Sequence, residues 1–267
     1  MGEGQGTVMQ FSRPDTLPRL MVAPNGARRT RADHPAIPVT IPETVETAKS
    51  CAAAGAQAMH LHVRDAEQRH VLDAGMYHEA LAELGAAVPE MHFQITTEAV
   101  GRYRPEEMRK LAYDVMPPGI SIGVLEMVPD RQPGPDDIKL YRTLHEAGTR
   151  IQHLVFFPEE VDVLADLIEK AELPREDFWC LFVIGHYTGR ISHPGLIRPF
   201  LDRMEAHSLV PDWAICAFAE EEHDSLVEAV AQGGKLRVGF ENSLFMPDGS
   251  IATDNAARVA AANALFD

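Results

Sequence analysis

The chain has 267 residues, 45% of them hydrophobic, which bounds it to one large domain or two small ones with a sizeable core. Acidic residues outnumber basic ones 40 to 24, a formal charge of −16 that repels nucleic acid and anionic lipid. An anionic substrate would then need a local cluster of arginines. There is no apolar run of the roughly 18 residues a transmembrane helix needs. The opening MGEGQGTVMQFSRPDTLPR lacks the basic start and apolar core of a signal peptide, so a cytoplasmic location is expected.

Residues 1–17 read as a polar tail and residues 18–267 as one folded domain. The first apolar run, 19–23, leads into PNGARRTRADHP, where Arg28, Arg29 and Arg31 crowd together. In an acidic chain such a knot could hold a carboxylate or the phosphates of a large cofactor. Equally, it could be a solvated loop paired with Asp33. A helix follows from Pro42 to Gly55, with proline at its start and glycine at its end. The second run, AQAMHLHV (56–63), carries His60 and His62, which point to one face of a strand. The third, MHFQIT (91–96), ends on Thr96, Thr97 and Glu98, and the fourth, GISIGV (119–124), holds Ser121. These hydroxyls could bind a substrate carboxylate or carbonyl, or simply cap loops.

The fifth run (150–156) contains His153, expected to be a satisfied core histidine; a helix opens at Pro158. After the sixth run (178–184) comes GHYTGRISHPG, in which His186 is a candidate acid/base or phosphate contact and His193 precedes a helix. The seventh run spans 212–218. The eighth (236–242) carries Arg237, Glu241 and Asn242, and ATDNAARVAAANALF forms a final helix. Cys51, Cys180 and Cys216 are scattered and lack metal-site spacing, so each reads as a small buried residue.

Eight strands, seven connecting helices and a final helix predict parallel βαβ units. At this length a (β/α)8 TIM barrel fits. A doubly wound open sheet has the same local pattern, but no Gly-x-Gly-x-x-Gly follows the first strand. In a barrel the C-terminal strand ends carry the chemistry, and His60 and His62 fall at such an end. Two core histidines satisfied by hydrogen bonds are the bland reading; a metal site is the sharper one. Barrel closure sets strand 1 between strands 8 and 2, so Glu241 can face the pair as third ligand. Two imidazoles and a carboxylate suit Zn2+ better than magnesium or calcium. Glu241 could instead be a strand-end carboxylate bonded to Arg237 on the same face.

TRADHP, HLHVRD, FQITT and RVGFENSLFMPDGSIATDNAARV resemble the β-keto acid cleavage enzymes, with gaps, from about residue 19 to the C-terminus. The resemblance implies a zinc-bearing (β/α)8 barrel, a homo-oligomer, and a reaction of a β-keto acid with acetyl-CoA giving acetoacetate and a new acyl-CoA. It puts the metal ligands on His60, His62 and Glu241, substrate-contacting hydroxyls on Thr96 and Ser121, and the active-site arginine on Arg237. Two departures stand out. The family usually has Glu-Asp where this chain has Glu241-Asn242, and asparagine cannot take a proton. A glutamate that meets a substrate ammonium in one family member is Arg28 here, which implies a substrate with an anionic or neutral polar tail. TTEA and GHYTG also replace glycine-rich loops. His186 or Glu98 is then the candidate base, and Asn242 a candidate donor to a developing oxyanion. The rival readings are a zinc hydrolase on the same barrel and a non-catalytic ligand-binding barrel.

Overall fold

The computed structural model describes residues 11–186, 189–219 and 221–267. Eight parallel strands close in sequence order into a (β/α)8 barrel: β1 (Leu20–Val22), β2 (Ala58–Leu61), β3 (His92–Thr96), β4 (Gly119–Gly123), β5 (Arg150–Val155), β6 (Glu176–Ile184), β7 (Val210–Ala217) and β8 (Lys235–Val238). Closure comes from β1 pairing with β8, with Met21 opposite Arg237. The barrel, rather than the open sheet, is the observed architecture.

Helices α1 (Ile41–Ala53), α2 (Ala74–Ala87) and α3 (Pro105–Val115) cover the first strands; α4 (Val124–Met127) and α5 (Pro135–Glu146) both follow β4; α6 (Val161–Lys170), α7 (Ile197–Ala206), α8 (Glu222–Ala231) and α9 (Asn255–Asn263) complete the ring. Local chemistry sets their starts. Thr40 and Glu43 form a reciprocal capping box on α1, and Asp73 and Asp254 cap α2 and α9. The segment expected to be helical from Pro158 first makes a 3-10 turn over Pro158–Glu160.

The core has two shells. The larger lies between strands and helices, and includes Met59, Leu61, Phe93, Ile95, Ile120, Phe182 and Val238. The smaller fills the barrel interior, with Leu154, Trp179, Leu181, Val183, Ala214 and Cys216. Leu17 joins this inner shell, and its N–H donates to Asp212 near the N-terminal mouth of the barrel. Within the segment read as a tail, residues 11–17 are thus bound to the barrel's underside: the Ser12 carbonyl accepts from His92, and Asp15 pairs with Arg150. Residues 1–10 lie outside the described residues. All three cysteines are buried. Among the described residues no helix is long and apolar enough to cross a membrane.

Two strand ends differ from expectation. β2 stops at Leu61, and the chain continues into a short hairpin in which Arg64 bridges His70. β8 stops at Val238 rather than running to Asn242. Gly239 has φ +134, and a Cβ there would stand 2.4 Å from the Ala23 carbonyl oxygen. The chain bends sharply against β1, and Asn242 and Ser243 donate back to the Gly239 carbonyl. Glu241 therefore sits on a turn beyond the last strand, not on the strand.

Candidate metal centre and active-site cleft

Period-two geometry brings His60 and His62 to one side of the barrel mouth, with their Nε2 atoms 3.1 Å apart. The turn after β8 carries Glu241 to the same point: its Oε2 is 3.5 Å from His60 Nε2 and 3.4 Å from His62 Nε2. One ligand atom from each residue lies within 4.8 Å of the others, and all three residues are buried. Glu241 Oε1 accepts from Arg237 at 2.9 Å, so the i,i+4 pair read from the sequence forms even though the glutamate has left the strand. The two readings of Glu241 are compatible, since each carboxylate oxygen serves one of them.

The outer nitrogens orient both rings. His60 Nδ1 meets Gln94 Oε1 at 2.9 Å, its register neighbour on β3, and Gln94 Nε2 donates to Gln152. His62 Nδ1 is 3.3 Å from His70 Nδ1, and His70 Nε2 is 3.2 Å from the Glu98 carbonyl, which can only accept. A neutral His70 must then accept from His62 Nδ1–H, as Gln94 accepts from His60. Both Nε2 atoms are left with lone pairs aimed at each other and at a carboxylate oxygen. Three acceptors facing one point fit a divalent cation, and each ring's outer nitrogen is held by a hydrogen bond, as a metal-ligating histidine's would be.

Electrostatics agree. Burial pushes His60 and His70 down to about 4, and His62 well below its ordinary value. Burial opposes ionisation of Glu241, yet the Arg237 guanidinium beside it holds its carboxyl well below the usual range. At neutral pH the trio presents two neutral imidazoles and one carboxylate, the protonation states a metal requires.

The centre opens on a narrow cleft of about 80 Å³. Polar walls come from Arg28, Thr96, Glu98, Glu126 and His186, and apolar walls from Leu154, Phe156, Val183 and Phe218. Glu98 Oε2 reaches 3.7 Å from His62 Nε2. Burial, and then the Glu241 and Glu126 charges, push Glu98 up to about 8 against the pull of Arg28 and Arg237. Burial pushes Glu126 up to about 7, and its Oε1 accepts from the Ala99 N–H. His186 is held below its ordinary value by partial burial and by Arg28 and Arg190.

The arginine knot is divided. Arg28 stands exposed at the cleft, Arg29 donates to the Phe240 and Asn242 carbonyls, and Arg31 pairs with Glu43. Asp33 caps its own turn at Thr30 instead of pairing with an arginine. Thr96 lines the cleft and accepts from the Glu98 N–H. Ser121 is buried opposite Thr96 with its hydroxyl toward the Ile95 carbonyl, and is not among the described cleft residues. Neither is Asn242, which is fully buried with its amide beside the Cys216 thiol. His153 is buried but stacks on Tyr141, and its Nδ1 makes no hydrogen bond, so it is not satisfied in the expected sense. His193 accepts from the Gly195 N–H and caps the following turn. Tyr187 and Thr188 of the GHYTG loop lie outside the described residues.

The sequence model described as beta-keto acid cleavage enzyme matches residues 19–267. The chain belongs to the β-keto acid cleavage enzyme family. It is 24% identical over 237 residues to a 3-keto-5-aminohexanoate cleavage enzyme of Fusobacterium nucleatum subsp. nucleatum, covering 86% of this chain and 84% of that protein. To a 3,5-dioxohexanoate:acetyl-CoA acetone transferase of Paraburkholderia graminis it is 26% identical over 272 residues, covering 90% and 86%. Among solved structures, the binary complex of ObcA with oxaloacetate has a TM-score of 0.69 at 17% identity. That match covers 85% of this chain and 62% of ObcA, so the chain spans under two thirds of ObcA, and the likeness speaks for the barrel alone.

His70, Gln94 and Glu126 escaped the sequence reading. Glu126 leaves a faint trace, a lone acid two residues past an apolar strand in GISIGVLEM.

Proposed function

We propose that this protein is a zinc-dependent β-keto acid cleavage enzyme, transferring the acyl part of a β-keto acid to CoA while acetyl-CoA becomes acetoacetate. The observation that carries the reading is the His60–His62–Glu241 trio at the mouth of the barrel, joined to Arg237. Ligand atoms about 2.1 Å from a tetrahedral zinc stand roughly 3.4 Å apart. The three edges of the trio, 3.1, 3.4 and 3.5 Å, fall at that spacing. A bound zinc would polarise the keto oxygen and anchor the substrate carboxylate.

The chain's own residues do the rest. Glu98 takes the proton from the carbon between ketone and carboxylate; an acid tuned near working pH is suited to accept it and later return it. The carbanion joins the acetyl carbon of acetyl-CoA and expels the CoA thiolate. That thiolate adds to the former keto carbon, the carbon–carbon bond breaks, and acetoacetate leaves with an acyl-CoA in balance. His186, across the cleft, is the second proton-handling group. Thr96 holds the Glu98 backbone, and Arg237 fixes Glu241 for the cation. Arg28 at the rim favours a substrate with an anionic or neutral polar tail. Ser121 and Asn242 are assigned supporting rather than contacting roles, since neither lines the cleft.

The test is metal analysis followed by a panel of β-keto acids. Expected is one zinc per chain and acetoacetate formed only when acetyl-CoA is present. Turnover without CoA would instead indicate a hydrolase, and zinc binding with no turnover a ligand-binding barrel. Preference for an amino-substituted acid would overturn the assignment to Arg28.

A further inference from the structure

We infer that His70 is a positioning residue: it sets the tautomer of His62, and so presents the His62 lone pair to the metal before any metal arrives. The inference rests on the metal part of the reading above, and its geometry is independent of the reaction.

His70 is 2% exposed and lies at the close of the hairpin that follows β2. Its ring makes two hydrogen-bond contacts, one inward to His62 Nδ1 at 3.3 Å and one outward to the Glu98 carbonyl at 3.2 Å. A carbonyl cannot donate, so His70 Nε2 carries the proton of a neutral ring and Nδ1 is an acceptor. The direction of the relay is therefore fixed from its far end: Glu98 carbonyl, then His70, then His62 Nδ1–H, leaving His62 Nε2 bare. The Gln94–Gln152 pair behind His60 has no such anchor, because an amide can turn and offer either end.

The hairpin is built to hold this ring. Arg102 donates to the His70 backbone carbonyl, and Arg64 ties the hairpin to the carbonyls of Asn25, Gly26, Arg29 and Gln68. His62 against His70 is an edge contact, with centroids 4.7 Å apart at 69°, which directs a nitrogen of one ring at the other. A histidine used only as filler would not need a carbonyl on one side and a ligand's nitrogen on the other.

Two variants separate shape from hydrogen bonding. His70→Phe keeps the ring and loses both nitrogens. His70→Asn loses the ring and keeps an acceptor near the Nδ1 position. Zinc affinity is read by competition with a chromophoric chelator, and the His62 tautomer by ¹⁵N NMR of the metal-free protein. Expected are an Nδ1–H tautomer for His62 in the wild type, a ten- to hundredfold loss of zinc affinity in His70→Phe, and recovery to within about threefold in His70→Asn. An Nε2–H tautomer in the metal-free wild type overturns the inference, as does wild-type zinc affinity in a folded His70→Phe. Should His70→Phe fail to fold, the wild-type tautomer and the His70→Asn affinity decide. A wild-type protein that binds no zinc refutes the proposed function, while the tautomer measurement still judges His70.

Discussion

Arg237 and Glu241 lie four residues apart on either side of the bend at Gly239, and their side chains meet at 2.9 Å inside the protein. Removing one partner of such a pair leaves the other charge buried without compensation, at a cost of about 3–5 kcal/mol. Arg237→Ala should therefore destabilise the metal-free protein strongly. A bound zinc would compensate Glu241, so the loss should shrink when urea unfolding is repeated with the metal present. An equal loss in both conditions would separate Glu241 from the cation.

Gly26 makes a different demand on the same carboxylate. Its φ is +62, and a Cβ would stand 2.5 Å from Glu241 Cγ. Gly26→Ala should push Glu241 off its position and weaken zinc binding at least tenfold, beyond a backbone cost of about 1 kcal/mol. Chelator competition measures the first effect and a denaturant melt the second.

Glu98 is the base in the mechanism proposed above. Glu98→Gln should lower kcat by about 10²- to 10⁴-fold with zinc content unchanged. A base works deprotonated, so kcat/KM should rise with pH until Glu98 ionises. Burial and neighbouring acids hold it up at about 8, and a bound cation pulls it lower, so the rising limb should fall below pH 8. Loss of that limb in the variant, with metal retained, assigns it to Glu98.

Away from the site, Arg258 and Glu222 form a buried pair joining α9 to α8. Arg258→Met should cost about 3–5 kcal/mol, whereas Arg258→Met with Glu222→Leu should recover most of it, because no lone charge then remains. Thermal melts of both variants test this.

Buried histidines set the acid limit of stability. Burial pushes His153 down to about 3 and His92 down to about 4 from 6.5. Below pH 6.5 the unfolded chain binds protons that the fold refuses. Each residue's stabilisation is thus complete above 6.5 and is lost as pH falls toward its folded value, by at most about 1.4 kcal/mol per pH unit. His153→Gln should flatten the fall of Tm between pH 6 and 4.

The barrel is legible in the sequence because its signal is repetitive: eight apolar runs separated by helical segments. The His60–His62 pair is legible because a strand's period of two puts alternate residues on one face. Glu241 is found by closure of the ring, but for a partly mistaken reason, since the strand thought to carry it ends at Val238. What stays hidden arrives through loops. His70 returns by a hairpin, Glu126 by a four-residue helix, and the fates of Arg28, Arg29 and Arg31 depend on which way each points after β1. Periodicity carries no information about such turns.

The candidate metal centre joins the second strand of the barrel to the turn after the eighth. His60 and His62 are made well before Glu241, and Glu241 reaches them only once β8 has docked on β1. A nascent or truncated chain lacking the final strand would have two imidazoles and nothing to complete their hold. Under the zinc reading, tight metal capture would wait until β8 has closed the ring, and would act as a seal on the finished barrel.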